Sequence, residues 1–426
     1  MKADFLDEVV VFPSLEYFLG NVLAETVSDI WGEYYHSEDN VSSFCNLKTL
    51  KVYQFQKLET VIPPAMLNRM RNLESIHIRD CTSLRNVFPP CIARDLIRFK
   101  SMVVSHCGVM TEIIGADEQE INDGIVFPEL TVLQLEYLPK LTSFWCYQTR
   151  GDNNYRVEFP NLVNLELKCE EINLGSFGMD YFTCPRLEVL KVGKCGYSTL
   201  FTFSALTSLP QLQELEISDC SLLEEIVEGA RGGEDSATDK KTITVLQLKS
   251  IILTDLPNLK SFISSVNYEF HMPDLKKVNI NNCGFSTLFT CSFFRKLHQL
   301  AELYVSKCLL LECIVDDVGD DDETSFTDDK TITFSGLADF QLAWLPILKC
   351  FSSSSSYAFS MPALSIFLLH HCPRIEFFTF LKTSTSTVRV YTELGIWEST
   401  PYLNDYIKQK YKRGSSLSDS AIVLKS

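Results

Sequence analysis

The feature that most constrains this chain is a phrase of the form L-x-x-L-x-L-x-x-[C/L/F] that returns along its length. Clear copies are LKTLKVYQF (47–55), LESIHIRDC (73–81), FKSMVVSHC (99–107), LTVLQLEYL (130–138), LEVLKVGKC (187–195), LQELEISDC (212–220), LKKVNINNC (275–283), LAELYVSKC (300–308), LADFQLAWL (337–345) and LSIFLLHHC (364–372). LVNLELKCE (162–170) and LKSIILTDL (248–256) fit with one departure each, and LEYFLGNVL (15–23) is a worn first copy. In LESIHIRDC the alternation of Ile76 and Ile78 is the period-two signal of a strand with one buried face. A strand with two buried side chains cannot stand alone, so successive copies must stack and share one core. The 426 residues exceed what one compact core normally holds, which agrees with a stacked array.

Copies recur about every 25 to 37 residues, the period of leucine-rich repeats and not that of helical repeats without a strand. The expected fold is an α/β leucine-rich-repeat solenoid, with a parallel β-sheet on its concave face and short helices and irregular turns on its convex face. Segments such as 61–73, 87–99, 200–212 and 288–300 read as turns into those short helices, with proline marking the start. Seven cysteines, Cys81, Cys107, Cys195, Cys220, Cys283, Cys308 and Cys372, occupy the ninth motif position. A small, weakly polar side chain suits a tight site where the chain leaves the strand, so these are expected to be packing residues.

A longer period overlies the short one. CGYSTLFTF (195–203) returns as CGFSTLFTC (283–291), and a leucine-proline form closes successive blocks as YLPKLTSF (137–144), DLPNLKSF (255–262) and WLPILKCF (344–351). These are the marks of a duplicated three-repeat block.

Charge and cysteine usage exclude several functions. The net charge of −17 repels a phosphate backbone unless basic residues gather in one stripe. The predicted concave positions hold acids and bases in balance, so nucleic acid is not an expected partner. The acidity sits between coils, at −4 in 117–123, −1 in 228–241 and −7 in 316–330, as solvated insertions would. No apolar run approaches the roughly 18 residues that a membrane helix needs, and the first twenty residues lack the features of a secretory signal. Fifteen cysteines without a CxxC pair and a single N-x-[ST] sequon favour reduced thiols and a cytoplasmic location.

The sequence offers no catalytic, cofactor or metal constellation. HHCP (370–373) brings His370, His371 and Cys372 together in sequence, but strand alternation should turn neighbours to opposite faces. What remains is a surface for a protein partner. Its expected contacts are the large or variable side chains of the concave face: Tyr53, Arg79, Tyr137, Lys191, Lys194, Asn279, Tyr304, Lys307, Trp344, His370 and His371.

The stretches 73–115, 209–228 and 127–144, which combine cysteine-type and leucine-proline-type repeats, resemble the leucine-rich-repeat region of plant coiled-coil nucleotide-binding leucine-rich-repeat disease-resistance proteins. The resemblance covers roughly residues 10–380 and implies a non-catalytic recognition module in plant defence. Its partner would be a pathogen effector, a guarded host protein or a nucleotide-binding switch that it restrains. No G-x-x-x-x-G-K-[ST] is present, so the nucleotide-binding half of that family is not matched. The alternative is a substrate-receptor repeat domain of an F-box ubiquitin-ligase subunit, which would need more uniform repeats. The expected organisation is a lead-in over 1–11, then a solenoid of about thirteen repeats over 12–380, with acidic insertions near 116–126, 228–244 and 316–333. A possible last strand and cap follow over 381–407, and a polar, frayed tail over 408–426.

Overall fold

The structure, a computed structural model, describes residues 15–21, 29–31, 44–116, 124–145, 157–169, 182–228, 241–263, 268–316, 331–353, 358–375, 381–382, 389–392, 395–397 and 421–425. The expected lead-in over 1–11 and the centres of the three acidic insertions lie outside the described residues. The chain forms two units, one of residues 1–196 with 204–209 and the other of 197–203 with 210–426.

In the N-terminal unit seven strands run parallel and in motif register. They are β1 (Tyr17–Asn21), β2 (Thr49–Tyr53), β3 (Ser75–Arg79), β4 (Ser101–Ser105), β5 (Val132–Glu136), β6 (Asn164–Lys168) and β7 (Val189–Gly193). The C-terminal unit repeats the arrangement with β8 (Glu214–Ser218), β9 (Ser250–Leu256), β10 (Lys277–Cys283), β11 (Glu302–Ser306), β12 (Asp339–Ala343) and β13 (Ile366–His370). This is a leucine-rich-repeat solenoid.

From β2 to β13 each strand buries its fourth and sixth motif positions and leaves the third and fifth half-exposed; the seventh is half-exposed too, except that Arg79 is exposed and Ser105 and Gly193 are buried. Ile76 and Ile78, Leu133 and Leu135, and Leu303 and Val305 are all at most 1% exposed. Burying such a side chain contributes about 1.5–3 kcal/mol, so the core is a sum of similar terms added coil by coil. Short parallel strands form further layers away from the long sheet, such as Glu112–Ile114 with Ser143–Trp145, and Thr287–Thr290 with Cys313–Asp316 and Cys350–Ser352. Buried phenylalanines meet from coil to coil, stacked in the first of two examples and tilted in the second. Phe127 and Phe159 lie 5.6 Å apart in one unit, and Phe294 and Phe334 lie 4.3 Å apart in the other.

The short helices fall where the sequence places them, at Pro64–Met66, Pro90–Asp95, Phe203–Thr207 and Cys291–Arg295. Proline sets the start of the first two. The last begins without proline, and Thr290 caps it by accepting from the Phe293 amide at 3.3 Å. The duplicated CG phrase has a steric cause in its second copy. A Cβ on Gly284 would lie 2.1 Å from the Pro257 carbonyl oxygen of the preceding coil, so only glycine fits.

All seven ninth-position cysteines are buried. Six donate to the carbonyl of their own seventh residue, as Cys220 does to Ser218 at 3.2 Å and Cys308 to Ser306 at 3.3 Å. The thiol thus fills the turn and meets the backbone where the strand ends, which a leucine at that position cannot do.

Beyond β13 the segment 381–407 holds strands at Leu381–Lys382, Arg389–Thr392 and Gly395–Trp397. The tail expected to fray over 408–426 instead ends in a strand, Ala421–Lys425, paired antiparallel with β13. Its sequence, AIVLK, is apolar and rich in β-formers.

Candidate partner-recognition surface

The surface is organised by a backbone feature that strand alternation conceals. The eighth motif residue, just before the buried ninth, has a positive φ in eleven coils: Gln54, Asp80, His106, Tyr137, Lys194, Asp219, Asp255, Asn282, Lys307, Trp344 and His371, all between 50° and 63°. For an L-residue the left-handed region costs roughly 1–2 kcal/mol. The turn is held because the amide of the eighth residue donates to the carbonyl of the next coil's seventh residue. Gln54 reaches Arg79, Tyr137 reaches Lys168 and Trp344 reaches His370, at 2.8–2.9 Å. Each such bond contributes about 1 kcal/mol, and the turn also delivers the ninth side chain to the core.

The consequence is a column of side chains along one edge of each sheet. In the N-terminal unit His106 and Tyr137 stack with ring centroids 4.5 Å apart. The next coil has Cys169 at the eighth position, buried, and Lys194 reaches past it to lie 4.3 Å from the Tyr137 ring centroid. In the C-terminal unit Asn282 donates to Asp255 at 2.7 Å, and Trp344 stacks on His371 at 3.8 Å. His370 lies edge-on to the indole at 5.3 Å and 4.0 Å from His371.

This corrects the expectation that His370 and His371 face apart. His371, at φ 50°, ends the strand and brings its ring back beside His370, while Cys372 enters the core. Among the described residues no group of three His, Cys, Asp or Glu could hold a metal ion.

Asn282, Lys307, Leu309, Trp344, Pro346, His371 and Pro373 line a groove of roughly 640 Å³ on the C-terminal unit. Three of the residues expected from sequence meet there: Lys307, Trp344 and His371. Trp344 is 50% exposed, Leu309 in the same groove is 61% exposed, and Leu310, next in sequence, is 57% exposed. The sequence reading missed the two leucines because they precede Leu311 in an unbroken run, and only Leu311 is buried.

The remaining expected residues lie on the open face or along the other edge column. Tyr53 and Arg79 are the last residues of β2 and β3, and Arg79 pairs with Asp80 at 3.2 Å. Lys191 occupies the centre of β7 and Asn279 that of β10, where Asn279 is flanked in register by Ile252 and Tyr304. The Tyr304 hydroxyl donates to Asp339 at 2.9 Å. Burial, and after it this hydrogen bond, push the phenol pKa above its ordinary value. Tyr137 and Lys194 form the N-terminal cluster, to which the structure adds His106.

Elsewhere the open face neutralises its charges between coils. Lys100 meets Glu74 at 3.0 Å, Lys168 meets Glu136 at 3.2 Å as well as Glu166, and Lys277 meets Glu302 at 3.2 Å. Partial burial opposes the charge on Lys168, but its bonds to Glu166 and Glu136 outweigh that and hold its pKa at about 12. His77 shifts the other way, because burial and then the Lys51 charge disfavour its protonated form.

Stacked coils that each contribute a strand to a parallel sheet define a leucine-rich-repeat protein. A family model described as plant disease resistance protein RPS2-like, leucine-rich repeats, matches residues 19–89, 69–108, 158–309 and 266–385. The chain belongs to this RPS2-like leucine-rich-repeat family of plant disease-resistance proteins.

Among solved structures, the leucine-rich-repeat domain of the type III effector XCV3220 (XopL) is 18% identical. That match covers 56% of this chain and 62% of that one, with a TM-score of 0.30. Toll, solved with Spatzle from Drosophila, is 12% identical over 76% of this chain and 41% of its own, with a TM-score of 0.38. The plant peptide hormone receptor RGFR1, solved with RGF2, is 14% identical over 74% of this chain and 52% of its own, with a TM-score of 0.30. The chain thus spans less than two thirds of each, and nothing in its recognition chemistry rests on them. No curated protein matches it significantly.

Proposed function

We propose that this chain is a non-catalytic, cytoplasmic recognition module in plant defence, which binds a pathogen effector or a guarded host protein, or restrains a nucleotide-binding switch. Family membership supports the defence setting, and among the described residues no helix is long and apolar enough to cross a membrane.

The observation that carries the reading is the groove around Trp344. Asn, Asp and His tolerate the left-handed conformation best, and they fill six of the eleven column positions. Tyr137, Lys194, Lys307 and Trp344 do not belong to that set, yet they occupy the column with large side chains, exposed at Tyr137, Lys307 and Trp344 and half-buried at Lys194. The turn serves the core whatever its eighth side chain is, so packing does not account for the choice of Tyr, Lys or Trp there; large side chains kept at strained positions are characteristic of binding surfaces. Lys307, Trp344, His370 and His371 are the primary contacts. Asn279 and Tyr304 supply secondary contacts on the face of the same unit, and Tyr53, Arg79, Tyr137, Lys191 and Lys194 supply them on the face or column of the N-terminal unit.

Quantitative affinity purification of the full chain from infected plant tissue tests this. The double variant Trp344→Ala/His371→Ala should lose at least about fivefold of a defined partner set, as the removal of aromatic anchors does elsewhere. An unchanged set would refute the reading.

A further inference from the structure

We infer that the groove between the Lys307 and His371 coils accepts a short extended acidic peptide that carries an aliphatic or aromatic residue beside its carboxylates. This rests on the recognition reading and names the chemistry of its partner.

Lys307 supplies the positive charge of the groove. In the same unit Lys249 donates to Gln213 at 2.8 Å, and Lys260, Lys277 and Lys349 pair with Glu224, Glu302 and Glu312 at 2.7, 3.2 and 2.6 Å. Lys307 is exposed and its ammonium has no ion-pair partner among the described residues, while its backbone amide is committed to Ala343 at 3.0 Å. No carboxylate lines the groove. A groove with a cation, an imidazole and no acid is complementary to carboxylates, and pairing it face to face with the same groove of a second copy would set cation against cation.

An apolar side chain fits beside those carboxylates. Leu309, Pro346 and Pro373 present hydrocarbon beside the Trp344 indole. The indole is fixed by its stack on His371 at 3.8 Å, so a ligand meets a platform that is already ordered, which lowers the cost of binding.

The backbone sets the mode and the length. The column amides of Lys307 and Trp344 already donate to the next coil, so a peptide cannot add as a strand there and must be read by side chains. Asn282, Lys307, Trp344 and His371 sit on four successive coils. At roughly 4.8 Å between coils and 3.3 Å per extended residue, that run matches about four or five peptide residues.

Fluorescence anisotropy with the full chain tests the inference. The probe is a labelled decapeptide that alternates Glu with Leu, set beside the same peptide with Gln in place of Glu. The Glu probe should bind at least about tenfold more tightly than the Gln probe, and its affinity should fall as salt rises. Lys307→Glu and Trp344→Ala should each weaken it at least about tenfold, with thermal melts unchanged. Lys57→Glu, an exposed change in the N-terminal unit, should leave it intact.

Equal affinity for the two probes, or insensitivity to Lys307→Glu, would overturn the inference. So would tighter binding on deletion of the acidic insertion 317–330, which would make that segment the occupant. Concentration-dependent dimerisation abolished by Trp344→Ala would overturn it in favour of a second copy. If the acidic probe fails while the partner set in tissue still depends on Trp344 and His371, the recognition reading stands and only the carboxylate chemistry falls.

Discussion

The two aromatic clusters on the edge columns share one backbone and differ in what their lysine does. At the N-terminal cluster Lys194 lies over Tyr137, which is stacked on His106, so cation and ring satisfy each other. At the C-terminal cluster Trp344 is stacked on His371, and Lys307 is left without an ion pair among the described residues. The cause is one residue. In the N-terminal unit the coil between lysine and ring has Cys169 at the eighth position, buried, and the gap lets Lys194 reach across. In the C-terminal unit successive eighth positions carry Lys307, Trp344 and His371, and the indole's near neighbour is an imidazole. The N-terminal unit does have a groove, of roughly 420 Å³, but Glu59, Arg85 and Lys140 line it with mixed charge, and none of the cluster residues reaches it. Identical turns thus yield a closed cluster in one unit and an open one in the other.

The comparison presumes a common frame, and the largest expected effects test that frame. Leu133→Asp, in the core of the Tyr137 coil, and Leu303→Asp, in the core of the Lys307 coil, each replace a fully buried fourth-position side chain by a charge. Each should cost about 4 kcal/mol or more in denaturant unfolding, from cavity and desolvation together. If either is tolerated, the register assigned to its unit is wrong.

A smaller effect separates the clusters themselves. Glycine at an eighth position removes the left-handed cost but raises the entropy of the unfolded chain, so Lys307→Gly should stabilise by roughly 0.5 kcal/mol. Lys194→Gly gives up the contact over Tyr137 as well, worth about 0.5–1 kcal/mol, and should be neutral or slightly destabilising. Thermal melts of the two variants should therefore move apart. Equal shifts would remove the distinction between a satisfied and an unsatisfied lysine.

The frame was legible in the sequence because its buried positions repeat without exception. Leu, Ile, Val, Met or Phe at the fourth and sixth positions of every clear copy leaves one register, and the structure adopts it. The edge column was legible only in part: Tyr137, Lys194, Lys307, Trp344 and His371 stood out as large or variable side chains, but plain alternation would turn the eighth residue inward and hides the turn that brings it out. Its trace was nevertheless present: Asp80, His106, Asp219, Asp255, Asn282 and His371 are the residue types that accept a positive φ. Trp344 and Lys307 could be proposed as large exposed groups, but their meeting with Leu309 and Pro373 depends on a turn that the hydrophobic pattern does not encode. The strand at Ala421–Lys425 was hidden for a different reason. Its apolar run closes a polar tail, and a pairing partner some fifty residues earlier, Ile366–His370, leaves no mark in local composition.

The most direct test of the central claim compares the clusters in one assay. Chains carrying Trp344→Ala/Lys307→Glu and Tyr137→Ala/Lys194→Glu are each co-purified with their partners and quantified against the unaltered protein. The account predicts loss of at least about tenfold of the partner from the first and little change in the second. Equal loss from both, or loss from the second alone, would contradict the assignment of recognition to the open cluster.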